Sequence, residues 1–512
     1  MTEIRTTSSL WRERVSGVRY PALSADGEAD VLVIGAGITG VCAAWEVQRS
    51  GRTVMLLDGD VVAGAVTGHT TAKVSVLHGL LYADLVSRIG TEGARQYAAS
   101  QLAAVARLDE IVAALGVECD LETSASYTWA EEAQTLEKVH AEVEAATAAG
   151  LSVEFVTEIG LPFDVLGAVR LAGQRQFHPV RFVEAVVADL VAQGAAVHER
   201  TRARRLQEGE PCRVTTDGGH VVRARDVIVA TGYPLFDRSL LFGRLVPHRE
   251  LVVAGPLDGD TPAGMFITPD GGTRSVRTAP HPSGPLAIVT GERFRPGAQP
   301  TSVGFRRLEE WATTRLPVSR VTHRWAAQDN DSSDRVPFVG RLHPLSRHAY
   351  VATGFGGWGM TNAIMAAGLL SSAIQGESLD WAKLYDPRRL NPVSEAWPLA
   401  KGQLEVASHF VGDRLKALGG SVDRIEAGGG DVVLMSGRPV AVHREDDGGL
   451  RAVRGTCTHL GCLVQYNDAE RSWDCPCHGS RFSVDGAVLN GPAVRPLEAV
   501  ELPPSAGDGA KS

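Results

Sequence analysis

At 512 residues the chain is too long for a single hydrophobic core, so two or three domains are expected. Hydrophobic content of 44% and charged content of 22% are ordinary for a soluble globular protein. A net charge of −9 argues against nucleic acid or an anionic membrane surface as a main partner. Residues 1–27 form an N-terminal lead with no apolar h-region and no twin arginine. No run of about 18 apolar residues follows, so no membrane span and a cytoplasmic location are expected.

The first regular elements lie just beyond the lead. Asp30 to Ile34 is a short apolar strand, and Gly35-Ala-Gly37-Ile-Thr-Gly40 follows it at once. Val41 to Ser50 reads as a helix and Arg52 to Leu57 as a second strand ending in Asp58. Glycines between strand and helix allow a tight turn and close approach of backbone to a pyrophosphate, with the acidic residue placed for ribose hydroxyls. A βαβ unit that binds no nucleotide is the plain alternative. Residues 80–220 alternate helical and strand-like segments and are expected to carry the substrate part. Val221 to Ala230-Thr231-Gly232 is a strand ending in Ala-Thr-Gly, typical of the far edge of an FAD-binding fold. Ala349 to Thr353 then leads into Gly354-Phe-Gly356-Gly357-Trp358-Gly359-Met360-Thr361 and an apolar helix, Asn362 to Ile374. No strand with an acidic end follows, so this reads as a glycine turn that presents a helix N-terminus to a flavin ring. The positive end of the dipole there stabilises negative charge on reduced flavin.

These segments, in this order, resemble the D-amino-acid-oxidase-like flavoprotein superfamily over about residues 28–385. Further matches are Ala63 to Lys73, Phe177-His178-Pro179, Trp325 to Asp329 and Asp334 to Gly340. The resemblance implies an α/β FAD-binding domain, Rossmann-like and of the glutathione-reductase type, joined to an α+β substrate domain. It places Gly35, Gly37, Gly40, Asp58, Thr67, His69, Thr231, Gly232, Gly354, Gly357, Gly359, Met360 and Thr361 against FAD. His69 falls where some members attach the flavin covalently. Most relatives oxidise a C–N bond, which implies a small amine or amino-acid-like substrate. No catalytic residue is identified. Arg249, Arg274 and Arg277 are candidates for clamping a substrate carboxylate, against the plainer reading of structural arginines.

Residues 386–420 form a linker with an amphipathic helix, Gly402 to Leu418, whose apolar face suits docking on a domain surface. Beyond it stand Cys457-Thr-His459-Leu-Gly-Cys462 and Cys475-Pro-Cys477-His478-Gly-Ser480. One Cys-x-His and one Cys-x-x-His pair suit a two-iron cluster with two thiolates on one iron and two imidazoles on the other, held by Cys457, His459, Cys475 and His478. A zinc ribbon is the alternative. Residues 421–503 resemble the Rieske [2Fe–2S] domain of quinol-oxidising complexes, a small all-β fold, including Gly491-Pro492-Ala493 as the loop that covers the cluster. That resemblance implies a disulfide between Cys462 and Cys477 and a hydrogen bond from Ser480 to a bridging sulfide. Phe482 departs from it, standing where those members carry a tyrosine. Residues 504–512 are a polar tail.

Flavin accepts a hydride, whereas a Rieske cluster moves one electron at a time. Both in one chain suggest a dehydrogenase whose reduced FAD empties singly through the cluster to an external, unidentified acceptor. The alternatives are a non-catalytic redox sensor or electron carrier, and a flavin reductase that donates electrons to a partner. A Rieske oxygenase needs a mononuclear iron held by two histidines and a carboxylate, and no such set presents itself.

Overall fold

The computed structural model describes residues 5–6, 9–13, 17–236, 241–298, 300–389 and 421–502. The expected docking helix, 402–418, and the polar tail lie outside the described residues. The chain divides into two compact units, Met1–Arg293 with Val303–Leu399 and Phe294–Ser302 with Ala400–Ser512.

The first unit begins with β1 (Gly27–Ile34), α1 (Ile38–Arg49) and β2 (Val54–Leu57). It continues through β3 (Lys73–Val74), α2 (Tyr82–Leu115), β4 (Glu122–Ala130), α3 (Ala133–Ala148), β5 (Gly167–Gln176), α4 (Pro179–Ala192) and β6 (Ala196–His198). After β7 (Val221–Val229) come β8 (Leu245–Pro256), β9 (Met265–Thr268), β10 (Arg274–Ala279) and β11 (Leu286–Phe294). β12 (His323–Ser332), β13 (Phe338–Arg341), β14 (Ala349–Thr353) and α5 (Gly359–Gln375) complete the labelled set.

Two sheets organise these elements. The first runs β13-β14-β7-β1-β2-β6 and is parallel apart from β13. Its central strands read as unbroken apolar runs because both faces are covered: Val31 and Val33 pack with α1 and α5, whereas Leu32 and Ile34 pack with strand residues such as Leu206 and Val214, and Val31, Leu32 and Val33 are wholly buried. The second sheet runs β12-β8-β11-β10-β9-β4-β5-β3. Its strands come from residues 73–176 and again from 245–332, so the sheet is not confined to the 80–220 stretch. Local patterning could not show this, since the two groups of strands meet only in the fold. His178 opens α4 as its N-cap, its side chain accepting from the Arg181 N–H.

In the second unit β15 (Gly430–Met435), β16 (Arg438–Arg444) and β17 (Leu450–Arg454) form an antiparallel sheet. β18 (Gln465–Asn467), β19 (Ser472–Asp474), β20 (Arg481–Ser483) and β21 (Val488–Asn490) form another. The two cysteine–histidine motifs occupy the loops before β18 and between β19 and β20.

Candidate active site and metal centre

The turn after β1 is shaped by what glycine lacks. Gly35 has φ of +106°, and a Cβ on Gly40 would overlap the Gly35 carbonyl oxygen. With those atoms missing, α1 starts directly under the turn, so the positive end of its dipole is presented to an anion. Thr67 Oγ1 accepts from the Ile38 N–H at 3.0 Å, so it shares that helix end. Asp58 accepts from the Ala36 N–H at 2.7 Å and the Asp60 N–H at 2.8 Å. Burial pushes its carboxyl up to about 6 in spite of those donors. Ala230 donates to the Ile34 carbonyl, and Thr353 Oγ1 to the Gly232 carbonyl, drawing the ends of β1, β7 and β14 to one edge.

The second glycine turn, Gly354 to Gly359, leads into α5, and φ is positive at Gly354, Gly356 and Gly357. The Gly357 N–H donates to Asp329 at 2.7 Å, fixing the turn to β12. Met360 and Thr361 are buried in the first turn of α5. Trp358 stacks on His78, centroids 4.5 Å apart and planes 18° from parallel. His78 Nε2 lies 2.6 Å from the Ser75 carbonyl and carries the proton; Nδ1 then accepts from the Tyr97 hydroxyl at 2.8 Å. Burial drives the His78 imidazole down to about 3, so it is neutral.

The three candidate arginines are placed differently from one another. Arg274 donates to Glu292 at 2.6 Å and to the Thr273 carbonyl. Arg277 donates to the carbonyls of Thr71, Ala72 and Thr278 and so clamps the chain entering β3. Arg249 is 1% exposed within β8, one residue from His248 and Glu250 and so on the opposite face of the strand. Arg274 and Arg277 are thereby both engaged by protein partners. His69 Nδ1 meets the Ala65 carbonyl at 2.7 Å, and its own carbonyl accepts from the Trp325 indole. One cation in this region was not singled out from sequence. Lys73 on β3 donates from Nζ to Ser275 Oγ of β10 and lies 5.8 Å from the Trp358 ring centroid.

In the second unit, the Cys457 N–H donates to the Cys462 carbonyl at 2.8 Å and the Cys475 N–H to the Ser480 carbonyl at 2.8 Å, closing two tight loops. Cys462 and Cys477 are joined as a disulfide between them. Cys457 and Cys475 face each other; the hydrogen bond from Cys475 draws the Cys457 thiol down, and the same pairing drives Cys475 up. The rings of His459 and His478 stand edge to face with centroids 4.9 Å apart, and Nδ1 of each is buried. Burial lowers both imidazoles, His478 to about 3, leaving the neutral form that metal ligation needs. The Ala493 N–H donates to Ser480 Oγ at 3.0 Å, tying the Gly491-Pro492-Ala493 loop to the second motif. Two adjacent thiols and two neutral imidazoles match the donor set of a [2Fe–2S] centre with mixed ligation. A tetrahedral zinc site would draw its ligands from the same four residues, so the choice falls to the kinship of the domain.

Residues 30–373 match the model of the DAO family, FAD dependent oxidoreductase, and residues 419–501 match the Rieske [2Fe-2S] domain. A protein of Bacillus subtilis named for a Rieske 2Fe-2S iron-sulfur centre, YhfW, is 30% identical over 496 residues, covering 96% of this chain and 97% of its own. The cytochrome b6-f complex iron-sulfur subunit 2 of Nostoc is 40% identical over 70 residues, 13% of this chain and 39% of that protein. Among solved structures, glycine oxidase of Geobacillus kaustophilus superposes with TM-score 0.58 at 16% identity, covering 71% of this chain and all of that one. L-proline dehydrogenase of P. horikoshii gives 0.61 at 18% identity, covering 72% and 98%. At such identities these two likenesses speak for the fold.

Proposed function

Because the chain belongs to the DAO family of FAD-dependent oxidoreductases and carries a Rieske [2Fe–2S] domain, we propose that it is a dehydrogenase of small amines or amino acids. Its electrons leave one at a time through the cluster to an external acceptor. When bound, FAD accepts a hydride from substrate carbon and the cluster carries single electrons. The rest is the work of this chain's residues. Gly35, Gly37 and Gly40 open the α1 N-terminus to the pyrophosphate, with Asp58 placed for the ribose. The glycine turn and the N-terminus of α5 offer backbone N–H groups and a positive dipole end where negative charge collects on reduction. The Trp358 ring, stacked on the neutral His78, lies at the start of that helix. Cys457, Cys475, His459 and His478 hold the cluster, with Ser480 beside the thiolates.

The observation that carries this reading is that one chain holds both a hydride-accepting and a one-electron-carrying site. The fold neighbours are named for glycine, L-proline and L-amino acids, which supports an amine substrate. Anaerobic mixing of the holoprotein with a panel of amines and amino acids tests it. Bleaching of the flavin followed by reduction of the cluster is expected. Rapid reduction by NADH with no response to any amine would overturn it in favour of a reductase.

A further inference from the structure

Residues 9–12 come before the first strand of the nucleotide-binding sheet, yet they are buried like core. Ser9 is wholly buried, and Leu10 and Trp11 are 6% and 2% exposed. A chain end is held this way only when something ties it down. The backbone of Arg5 and Thr6 pairs in parallel with His323 and Arg324 of β12. On the other side of the segment, Glu13 meets His323 Nε2 at 3.1 Å. The Trp11 ring stands edge to face on His178 at the start of α4, with centroids 5.1 Å apart, and the Arg277 guanidinium lies 5.3 Å from its centroid.

What this segment holds is the loop from Ala63 to Ala72. Both end residues have left-handed backbone, φ +52° and +55°, although neither is glycine. Such a conformation persists only where the surrounding structure imposes it. Six carbonyls of the loop accept from side chains outside it. Gly64 accepts from Arg12 at 2.9 Å, Gly68 from Ser9, and Thr70 from the Trp11 indole at 2.6 Å. His69 accepts from Trp325 at 2.8 Å, and Thr71 and Ala72 from Arg277 at 2.9 and 2.7 Å. Half of these bonds therefore come from the N-terminal segment. On its inner side the loop meets the turn before α1. Ala63 donates to the Ala36 carbonyl, Thr67 Oγ1 accepts from the Ile38 N–H, and a Cβ on Gly37 would lie 3.1 Å from Thr67 Oγ1.

We propose that Ser9, Trp11 and Arg12 are positioning residues for FAD: they strap the strained loop against the α1 turn, and tight cofactor binding depends on them. They act through the loop, by fixing where Thr67 stands beside the helix end. The proposal rests on the reading of the α1 turn as the pyrophosphate site. It extends that site to residues outside the 30–373 stretch that matches the family.

The test uses the full-length protein as Ser9→Ala, Trp11→Phe and the two combined. Trp11→Phe keeps a ring against His178 and loses the N–H to Thr70, while Ser9→Ala loses only a hydroxyl. Trp129→Phe is the control, since it removes an indole bond of the same kind, to Glu131 at 3.0 Å, elsewhere in the fold. FAD is titrated into each apoprotein and followed by flavin fluorescence, and the melting temperature of each apoprotein is recorded beside it. Each single variant should bind FAD about tenfold more weakly and the pair about a hundredfold, one buried hydrogen bond being lost at each position. Trp129→Phe should bind as wild type does. Wild-type affinity in Ser9→Ala and Trp11→Phe overturns the proposal. So does a weakening that Trp129→Phe shares at an equal loss of melting temperature, because general loosening of the fold then accounts for it. Should Trp11→Phe fail to fold, Ser9→Ala decides by the same criterion. Gly40→Ala checks the underlying reading, since its Cβ would fall on the Gly35 carbonyl oxygen. Unchanged FAD binding by Gly40→Ala fails the α1 turn as the pyrophosphate site, and the strap with it. Binding lost there but unchanged in the strap variants fails the strap alone.

Discussion

Phe482 is wholly buried in one cluster with Cys457, Cys475 and Cys477, where the resemblance to quinol-oxidising Rieske domains implies a tyrosine. Hydrogen bonds to cluster sulfurs raise the reduction potential, so an apolar ring here leaves the potential lower. Phe482→Tyr is expected to raise it by on the order of tens of millivolts, and Ser480→Ala, which removes a hydroxyl bonded to Cys457, to lower it by a similar amount. Potentiometric titration of both variants beside the wild type checks this; a Phe482→Tyr protein at the wild-type value would sink it. The metal-binding motif stands out in sequence because its four residues fall in two short loops at ligand spacing, while the choice of an iron–sulfur cluster over zinc comes from the family of the domain. Lys73 does not, because one lysine in an apolar run is unremarkable. Its burial depends on Ser275, about 200 residues further along the chain. Arg274 and Arg277 drew attention by charge, but partners distant in sequence, Glu292 and the carbonyls of Thr71 and Ala72, fix what they do.

At the scale of elements, α2 begins on a buried carboxylate contributed by α3. Glu142 accepts from the N–H groups of Tyr82 at 2.8 Å and Ala83 at 2.9 Å, and burial takes its carboxyl up to about 7 from an ordinary 4.5. Between those values the folded state holds a proton that the unfolded state has lost, so stability from this group falls as pH rises through 7. Glu142→Gln should flatten the dependence of melting temperature on pH between 4.5 and 7, and its deficit against wild type should shrink by pH 8. A pH dependence identical to wild type would count against it. In the second unit the disulfide closes a sequence separation of 15 residues, which chain entropy values at about 3 kcal/mol. Replacing Cys462 and Cys477 by serine is expected to lower the denaturant midpoint and release the cluster at lower temperature, followed by its visible absorbance. The β1–α1–β2 unit was legible because its period changes from strand to helix at a glycine turn. The second sheet was not, since neither the joining of β8–β12 to β4 and β5 nor the place of β3 at its edge leaves a local signal.

For the whole chain, the decisive quantity is how many electrons it stores. FAD takes two and a [2Fe–2S] cluster takes one, so the holoprotein should absorb three electron equivalents in an anaerobic reductive titration. A chain that serves as a dehydrogenase with an external acceptor must return them singly. Reoxidation by a one-electron acceptor should therefore depend on the cluster, while amine-driven bleaching of FAD should not. Cys475→Ser removes a thiolate from the proposed ligand set and leaves the first unit untouched in sequence. It is expected to keep wild-type FAD content and bleaching rate, to absorb two equivalents instead of three, and to slow steady-state reduction of ferricenium at least tenfold. Equal turnover of ferricenium by Cys475→Ser and wild type would mean that electrons leave the flavin directly, and the cluster would then need another role. Loss of amine bleaching in the variant would show instead that the second unit takes part in substrate oxidation itself.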